Sequence, residues 1–282
     1  MIEKEQNSTD KIIKPDFSTK TGREFLAFYL QTKFKQILAH DRKSENPMFL
    51  DVNPSFISKF SRRIIDSPKK RILIGVTGES ASGKTTICKT IKETSNRLNF
   101  PLEYLSIDNY FNDISDLIAK YGTFDNLRDN GYDVDSPQSF QLELLKEHLT
   151  KLAAGEDILA PQYLINGTGI SVKNAIPIKS EKLIVVEGMA AMYGDIKDLF
   201  DVKVYVDIDR KIQKKWFLAR AAKRNQDEEN ALKHWGYVKV AAEKYIIPSK
   251  GDADIVINGA ASLDYFSQII EFMHASTNCF IS

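Results

Sequence analysis

Short apolar runs rich in β-branched residues recur from Lys70 onward and alternate with longer stretches of helical period. RILIGVTG (71–78), EYLSID (103–108), KLIVVEG (182–188), VKVYVD (202–207) and ADIVING (253–259) read as buried strands. Helices are expected over 84–97, 137–153, 209–224, 227–245 and 261–275. Strands alternating with helices imply parallel βαβ units, hence an α/β domain whose sheet carries helices on both faces. Before Lys70 the pattern differs. Phe25, Phe28, Tyr29, Ile37 and Leu38 fall near a helical period and predict an amphipathic helix ending around His40. After a break at SENP, Phe56, Ile57, Phe60 and Ile64 predict a second helix following Asn53-Pro54. Residues 1–20 are polar and expected to be flexible, 21–66 form a helical extension, and 70–282 form the main domain. Between Gly155 and Ser180 the period fades; ISV and AIPI suggest a hairpin, and such an irregular insertion suits a pocket or flap.

Residues 78–86, GESASGKTT, satisfy G-x-x-x-x-G-K-[ST] between a strand and a helix. Gly78 and Gly83 let the backbone curl so that successive N–H groups face phosphate oxygens, and Ser80, Ala81 and Ser82 are small enough to keep that cradle open. The helix that follows adds its N-terminal dipole. Lys84 would reach the β- and γ-phosphates of ATP and Thr85 would ligate Mg²⁺, with Glu79 and Thr86 completing the contact set. A plain Gly/Ser turn is the other reading of the same residues. The chain contains no Asn-Lys dipeptide, which removes the guanine-reading motif of GTPase switches. The expected fold is therefore of the P-loop NTPase type.

Two acidic residues close apolar strands. Asp108 ends EYLSID, where a carboxylate can accept the proton of an attacking hydroxyl; as an alternative it starts a turn before Asn109. Glu187 ends KLIVVE, a position suited to holding Mg²⁺ directly or through water. The remaining composition narrows the field. A formal net charge of +1 argues against electrostatic nucleic-acid binding. No apolar run approaches the roughly 20 residues of a bilayer span, and MIEKEQNSTDKIIKPD does not read as a targeting peptide. Cys88 and Cys279 are far apart, so neither a disulfide scaffold nor a zinc site is expected. His40, His148, His234 and His274 lie outside any motif and are expected on the surface or in packing. A cytoplasmic, small-molecule enzyme is the reading, with homo-oligomerisation left open.

The ordered set GESASGKTT, SIDNYF, DVDSPQSF, APQY, VVEGMAAMY, VYVDID and IIPSKGDADIVI resembles the motifs of the uridine kinase/phosphoribulokinase family over roughly residues 70–262. The resemblance implies ATP- and Mg²⁺-dependent phosphorylation of a small alcohol, most simply a nucleoside. It implies that Asp108 is the catalytic base, that Phe111 lines the acceptor pocket and that Asp135 holds ribose hydroxyls. It also places Tyr163 in the base pocket and brings Arg220 of the lid helix to the phosphates. Read without the family, Asp135 caps the helix after Pro137 and Tyr163 is a packed loop aromatic. The chain departs from the family pattern at Thr168, where uridine kinases have a His, and at Phe217, where an Arg is expected. WFLARAAKR is instead similar to the Trp-containing lid of bacterial pantothenate kinases, which makes pantothenate the second acceptor. Lys214, Lys215, Arg220, Lys223 and Arg224 either close over phosphates or form a solvated face above a stripe of Ile212, Trp216 and Ala219. A degenerate nucleotide-binding regulator or scaffold, or a simple ATPase, is the rival outside the kinases.

Overall fold

The strand leading into the phosphate loop, Ile72–Gly78, is buried along its whole length. Successive side chains of a strand point to opposite faces, and here Ile72, Ile74 and Val76 enter one core while Leu73 enters the other. Such a strand belongs in the interior of a covered sheet. The computed structural model places it there, and describes residues 19–56, 58–59, 71–99, 102–261, 263–264, 267–268 and 271. The strands are β1 (Phe49–Val52), β2 (Ile72–Gly78), β3 (Leu102–Ser106), β4 (Ile158–Tyr163), β5 (Ser171–Ile178), β6 (Leu183–Glu187), β7 (Val202–Asp207) and β8 (Ile255–Asn258). A six-stranded sheet has the order β1-β8-β7-β2-β6-β3, and β4 and β5 form a separate antiparallel pair. All neighbours in the large sheet are parallel except β1 on β8.

The helices are α1 (Lys20–Asp41), α2 (Lys84–Arg97), α3 (Ser115–Tyr121), α4 (Phe124–Asp129), α5 (Leu142–Ala154), α6 (Arg210–Lys223) and α7 (Glu228–Ala241). Ile87 and Ile91 of α2 pack on one face of the sheet, Leu145, Leu149 and Leu152 of α5 on the other. This is the α/β arrangement that the alternating pattern predicts. Among the described residues, no helix is long and apolar enough to cross a membrane. Cys88 is buried with a free thiol.

The N-terminal helix forms as expected, capped by the Thr19 side chain, which accepts from the Gly22 N–H at 3.1 Å. Its Phe34 packs edge-on against Phe49 and Phe56. The buried Asp41 carboxylate then turns the chain into β1, accepting the N–H groups of Met48 and Phe49 at 2.9 Å each. β1 itself was not anticipated; the residues before β2 supply a strand as well as helix. The helix expected after Asn53-Pro54 begins at Phe56, and its continuation through Phe60 and Ile64 lies outside the described residues, as does most of 261–275.

Two further expectations are corrected. Ser171 and Val172 of ISV lie with AIPI in one strand, β5, whose partner is β4; the register slips between Ala160 and Gln162, beside Asn174 at φ 50°. The helix expected at 137–153 is a 3₁₀ turn at Pro137–Ser139 followed by α5, because Phe140 is extended and bridges to Phe111. The segment between Asp108 and Asp135 holds α3 and α4, too short to show a helical period.

Candidate active site

The carboxyl ends of parallel strands converge where a doubly wound sheet binds its ligands. Val76 of β2 pairs with Glu187 at the end of β6, and Glu187 pairs with Ser106 at the end of β3. Asp108 follows in the 3₁₀ turn Ile107–Tyr110. The phosphate loop, Asp108 and Glu187 therefore come from adjacent strands.

The loop is shaped by backbone rather than by side chains. Gly83 stands at the N-terminus of α2 with φ 101° and no side-chain cap, leaving the first N–H groups of the helix open. The backbone of Gly259, just past β8, lies directly against the loop: a Cβ there would sit 1.7 Å from the Ser82 carbonyl oxygen. Gly259→Ala is expected to displace the loop, destabilising the protein by about 1–3 kcal/mol and raising KM for ATP. An unchanged Tm and KM would show that the loop does not rest on this glycine.

Lys84 is buried, and its ammonium donates to the carbonyls of Gly78 (2.8 Å) and Glu79 (2.9 Å). Burial lowers its pKa, while Glu187 and Asp108 oppose that shift. An ammonium has three donors, so one remains for a phosphate oxygen. Ser82 Oγ is buried against the Gly78 backbone without a hydrogen-bond partner. These features fit a nucleoside triphosphate. For Mg²⁺ the fit is Thr85 and Glu187, both lining the same cavity. Among the described residues no cluster of three or more His, Cys, Asp or Glu could hold a metal alone; Mg²⁺ commonly takes one or two carboxylates together with substrate phosphates and water. Tyr104 Oη donates to Glu187 Oε2 at 2.9 Å and fixes that carboxylate.

Two cavities meet at Asp108. The nucleotide side, about 400 Å³, is lined by residues 80–86 with Glu187, Trp216, Arg220 and Arg224. The other, about 300 Å³, is walled by Phe111, Phe124, Arg128, Asp135, Tyr163 and His234. Burial in this junction, reinforced by Glu187, pushes the Asp108 carboxyl up to about 6, with Lys84 opposing. Phe111 stacks on Phe140 at 4.2 Å between ring centroids and lies 5.3 Å from Tyr163. Asp135 does not cap the turn after it, for Ser136 occupies that position without a side-chain bond. Burial raises the Asp135 pKa, and the charge of Arg128 opposes the rise. Thr168 is not brought to this wall: its hydroxyl donates to Asn166 Oδ1 at 2.6 Å in the turn between β4 and β5.

The basic helix α6 closes over the loop. Arg220 donates to Ser80 Oγ at 2.6 Å. Gln213 donates to the Ser80 carbonyl at 2.9 Å, and Arg210 pairs with Glu79. The buried stripe is Gln213, Phe217 and Ala221, not Ile212, Trp216 and Ala219. Phe217 packs on Trp235 and Val238 of α7, so an apolar residue at this position locks the two lid helices together. Sequence reading missed Arg210, Gln213, Arg128 and His234. Their only local signal was position, at helix starts or on helices next to the expected site. His234, expected on the surface or in packing, lines the second cavity, whereas His148 is a packing residue, with Tyr110 Oη 2.8 Å from its Nδ1.

Comparison with known proteins accords with this geometry. Uridine-cytidine kinase A of Dictyostelium discoideum is 31% identical over 199 residues, covering 67% of this chain and 36% of that protein. Uridine kinase of Clostridium novyi is 32% identical over 192 residues, covering 66% of this chain and 86% of that protein. The chain thus spans little more than a third of the former and most of the latter. Phosphoribulokinase from Rhodobacter spheroides shares the fold at a TM-score of 0.50 and 17% identity, over 67% of this chain and 70% of that one. The phosphoribulokinase / uridine kinase family profile matches residues 73–264. With a phosphate loop, an opposed carboxylate and a second cavity arranged on that stretch, the chain belongs to the phosphoribulokinase/uridine kinase family, whose kinases transfer phosphate to a hydroxyl group.

Proposed function

We propose that the protein transfers the γ-phosphoryl group of ATP to a hydroxyl of a ribonucleoside. The observation that carries this reading is the place of Asp108, at the junction of a phosphate-loop cavity and an aromatic-walled cavity containing a second carboxylate. The relatives named above as uridine and uridine-cytidine kinases support the same acceptor.

Asp108 orients the acceptor hydroxyl and takes its proton as the oxygen attacks phosphorus. The bond to the β–γ bridging oxygen breaks, and ADP leaves. Lys84 and the N–H groups at the start of α2 hold the transferring phosphoryl, with Arg220 closing from the lid. Thr85 and Glu187 would hold Mg²⁺, which neutralises phosphate charge when bound. Phe111 and Tyr163 offer ring faces to a planar base, and Asp135 accepts from two adjacent ribose hydroxyls.

A panel of nucleosides, pantothenate and glycerate, assayed by ADP release, tests this reading. Ribonucleosides are expected to exceed their 2′-deoxy counterparts by at least roughly tenfold in kcat/KM, as loss of a hydrogen bond to a charged group gives. Equal rates would remove Asp135 from acceptor recognition. Turnover of pantothenate with none of any nucleoside would transfer the assignment to that acid, a reading favoured by the likeness of WFLARAAKR to the lid of bacterial pantothenate kinases. Binding of ATP without transfer to any acceptor would favour a regulator or scaffold.

A further inference from the structure

We infer that Arg128 is a specificity-determining residue, the charged donor that reads an oxygen acceptor group of the substrate remote from the hydroxyl being phosphorylated. This rests on the acceptor cavity proposed above and names what its arginine recognises.

Arg128 lies on the short helix α4, in the wall of the second cavity, with its side chain only 12% exposed. Its neighbours there include the rings of Phe111, Phe124 and Tyr163 and the apolar Val238. An arginine buried in such company needs partners, and those it has are loose. One terminal nitrogen lies 3.4 Å from Asp125 Oδ1, the other 3.4 Å from His234 Nε2, and the guanidinium carbon is 5.8 Å from the Tyr237 ring centroid. These contacts come from its own helix and from α7, so the group is held in place from two sides. Both hydrogen bonds are at the outer limit of useful length, which leaves most of its five donors uncommitted. Arg128 itself lines the second cavity, so a group bound there lies within reach of those donors.

Fastening α4 to α7 does not require Arg128. The next residue, Asp129, already does so by accepting from Lys233 at 2.8 Å and from the Tyr237 hydroxyl. The two carboxylates of the cavity, Asp108 and Asp135, can only accept from hydroxyls when ionised, whereas Arg128 can only donate. The wall thus offers hydrogen bonds in both senses: carboxylates that accept from hydroxyls and, beside Asp135, an arginine that donates to an oxygen acceptor. His234 is held neutral by burial and by the charge of Arg128, its pKa lowered to about 4, so it adds no second positive charge. A carbonyl of a pyrimidine base and the carboxylate of a small hydroxy acid both present the matching group, and a planar guanidinium suits either.

The test compares Arg128→Met, which keeps the apolar stem, and Arg128→Lys, which keeps charge but loses the fork, with the parent. Uridine, cytidine, adenosine, pantothenate and glycerate serve as acceptors. Arg128→Met is expected to raise KM for the preferred acceptor by about 10–100-fold, with KM for ATP and Tm nearly unchanged and Arg128→Lys in between. If a base carbonyl is read, the loss falls on uridine and cytidine, while adenosine, which lacks a carbonyl, is poor in the parent and unaffected in the variant. If a carboxylate is read, the loss falls on pantothenate or glycerate. An unchanged acceptor KM overturns the inference. So does a joint rise in both KM values with a lower Tm that Asp129→Asn reproduces, which marks a fastening role. A parent inactive on nucleosides refutes only the nucleoside reading, and Arg128 is then judged on the acids. A parent that phosphorylates none of the carbonyl- or carboxylate-bearing acceptors refutes both.

Discussion

Asp108→Asn is expected to lower kcat by about 10²–10⁴ while ATP still binds, because the amide keeps the shape of the side chain but cannot take a proton. The same carboxyl sets a pH limit. Its pKa is pushed up to about 6, by burial first and then by Glu187, and only the ionised form is a base. Activity should therefore fall as the pH drops through about 6, and the residual activity of Asp108→Asn should lack that limb. Stability moves in the opposite sense. A carboxyl whose folded pKa lies above its unfolded value of about 3.9 binds more protons folded than unfolded. Its ionisation thus costs stability as pH rises from about 4 to about 6, on the order of 3 kcal/mol once complete. Asp108→Asn should raise Tm at pH 8 and leave it almost unchanged at pH 4. Turnover at the parental rate would reduce Asp108 to a turn residue. A lower Tm at pH 8 would mean that the junction is not the desolvated place its neighbours suggest.

Lys84→Ala removes the point charge from the phosphate cradle, and turnover is expected to fall by about 10²–10³. Two effects need separating. The Lys84 ammonium also satisfies the carbonyls of Gly78 and Glu79, so its loss exposes the loop backbone to water and loosens it. Circular dichroism should still show a folded α/β protein, because both cores lie on the faces of the sheet, beneath α2 and α5. A folded variant that turned over within about twofold of the parent would show that GESASGKTT does not hold the transferred phosphate.

The loop was legible in the sequence because its chemistry is local: nine consecutive residues between a strand and a helix fix the backbone shape and the lysine together. Asp108 and Glu187 were legible for a related reason, since strand ends gather on one side of a parallel sheet. What escaped notice depends on chain segments that meet only in space. α4 has six residues, fewer than two turns, so nothing in its pattern drew attention to Arg128. His234 and Gln213 sit on helices that were predicted, but which face turned inward was decided by Phe217 and Trp235, not by the positions of the basic residues. Thr168 was singled out through a family position, whereas the Asn166 side chain draws its hydroxyl into the turn.

The antiparallel pairing of Phe49 with Ile257 joins a strand near the start of the chain to one near its end. In folding terms that contact is among the most non-local the protein makes, and such pairings form late because a long loop must close first. During synthesis β1 emerges early and waits for β8, the last strand of the sheet to appear. An unpaired strand is a template for another chain, but β1 is only four residues long, carries Asp51 and departs from regular register between Phe49 and Asp51. Those traits make it a poor partner for itself. When β8 arrives, β1 covers an edge made of Ile255, Val256 and Ile257, and its neighbour Met48 accepts the N–H of Asn258 at 2.7 Å. Pairing β8 with β1 therefore also sets Gly259, one residue past β8, against the phosphate loop, so the edge of the sheet and the floor of the loop share one short segment.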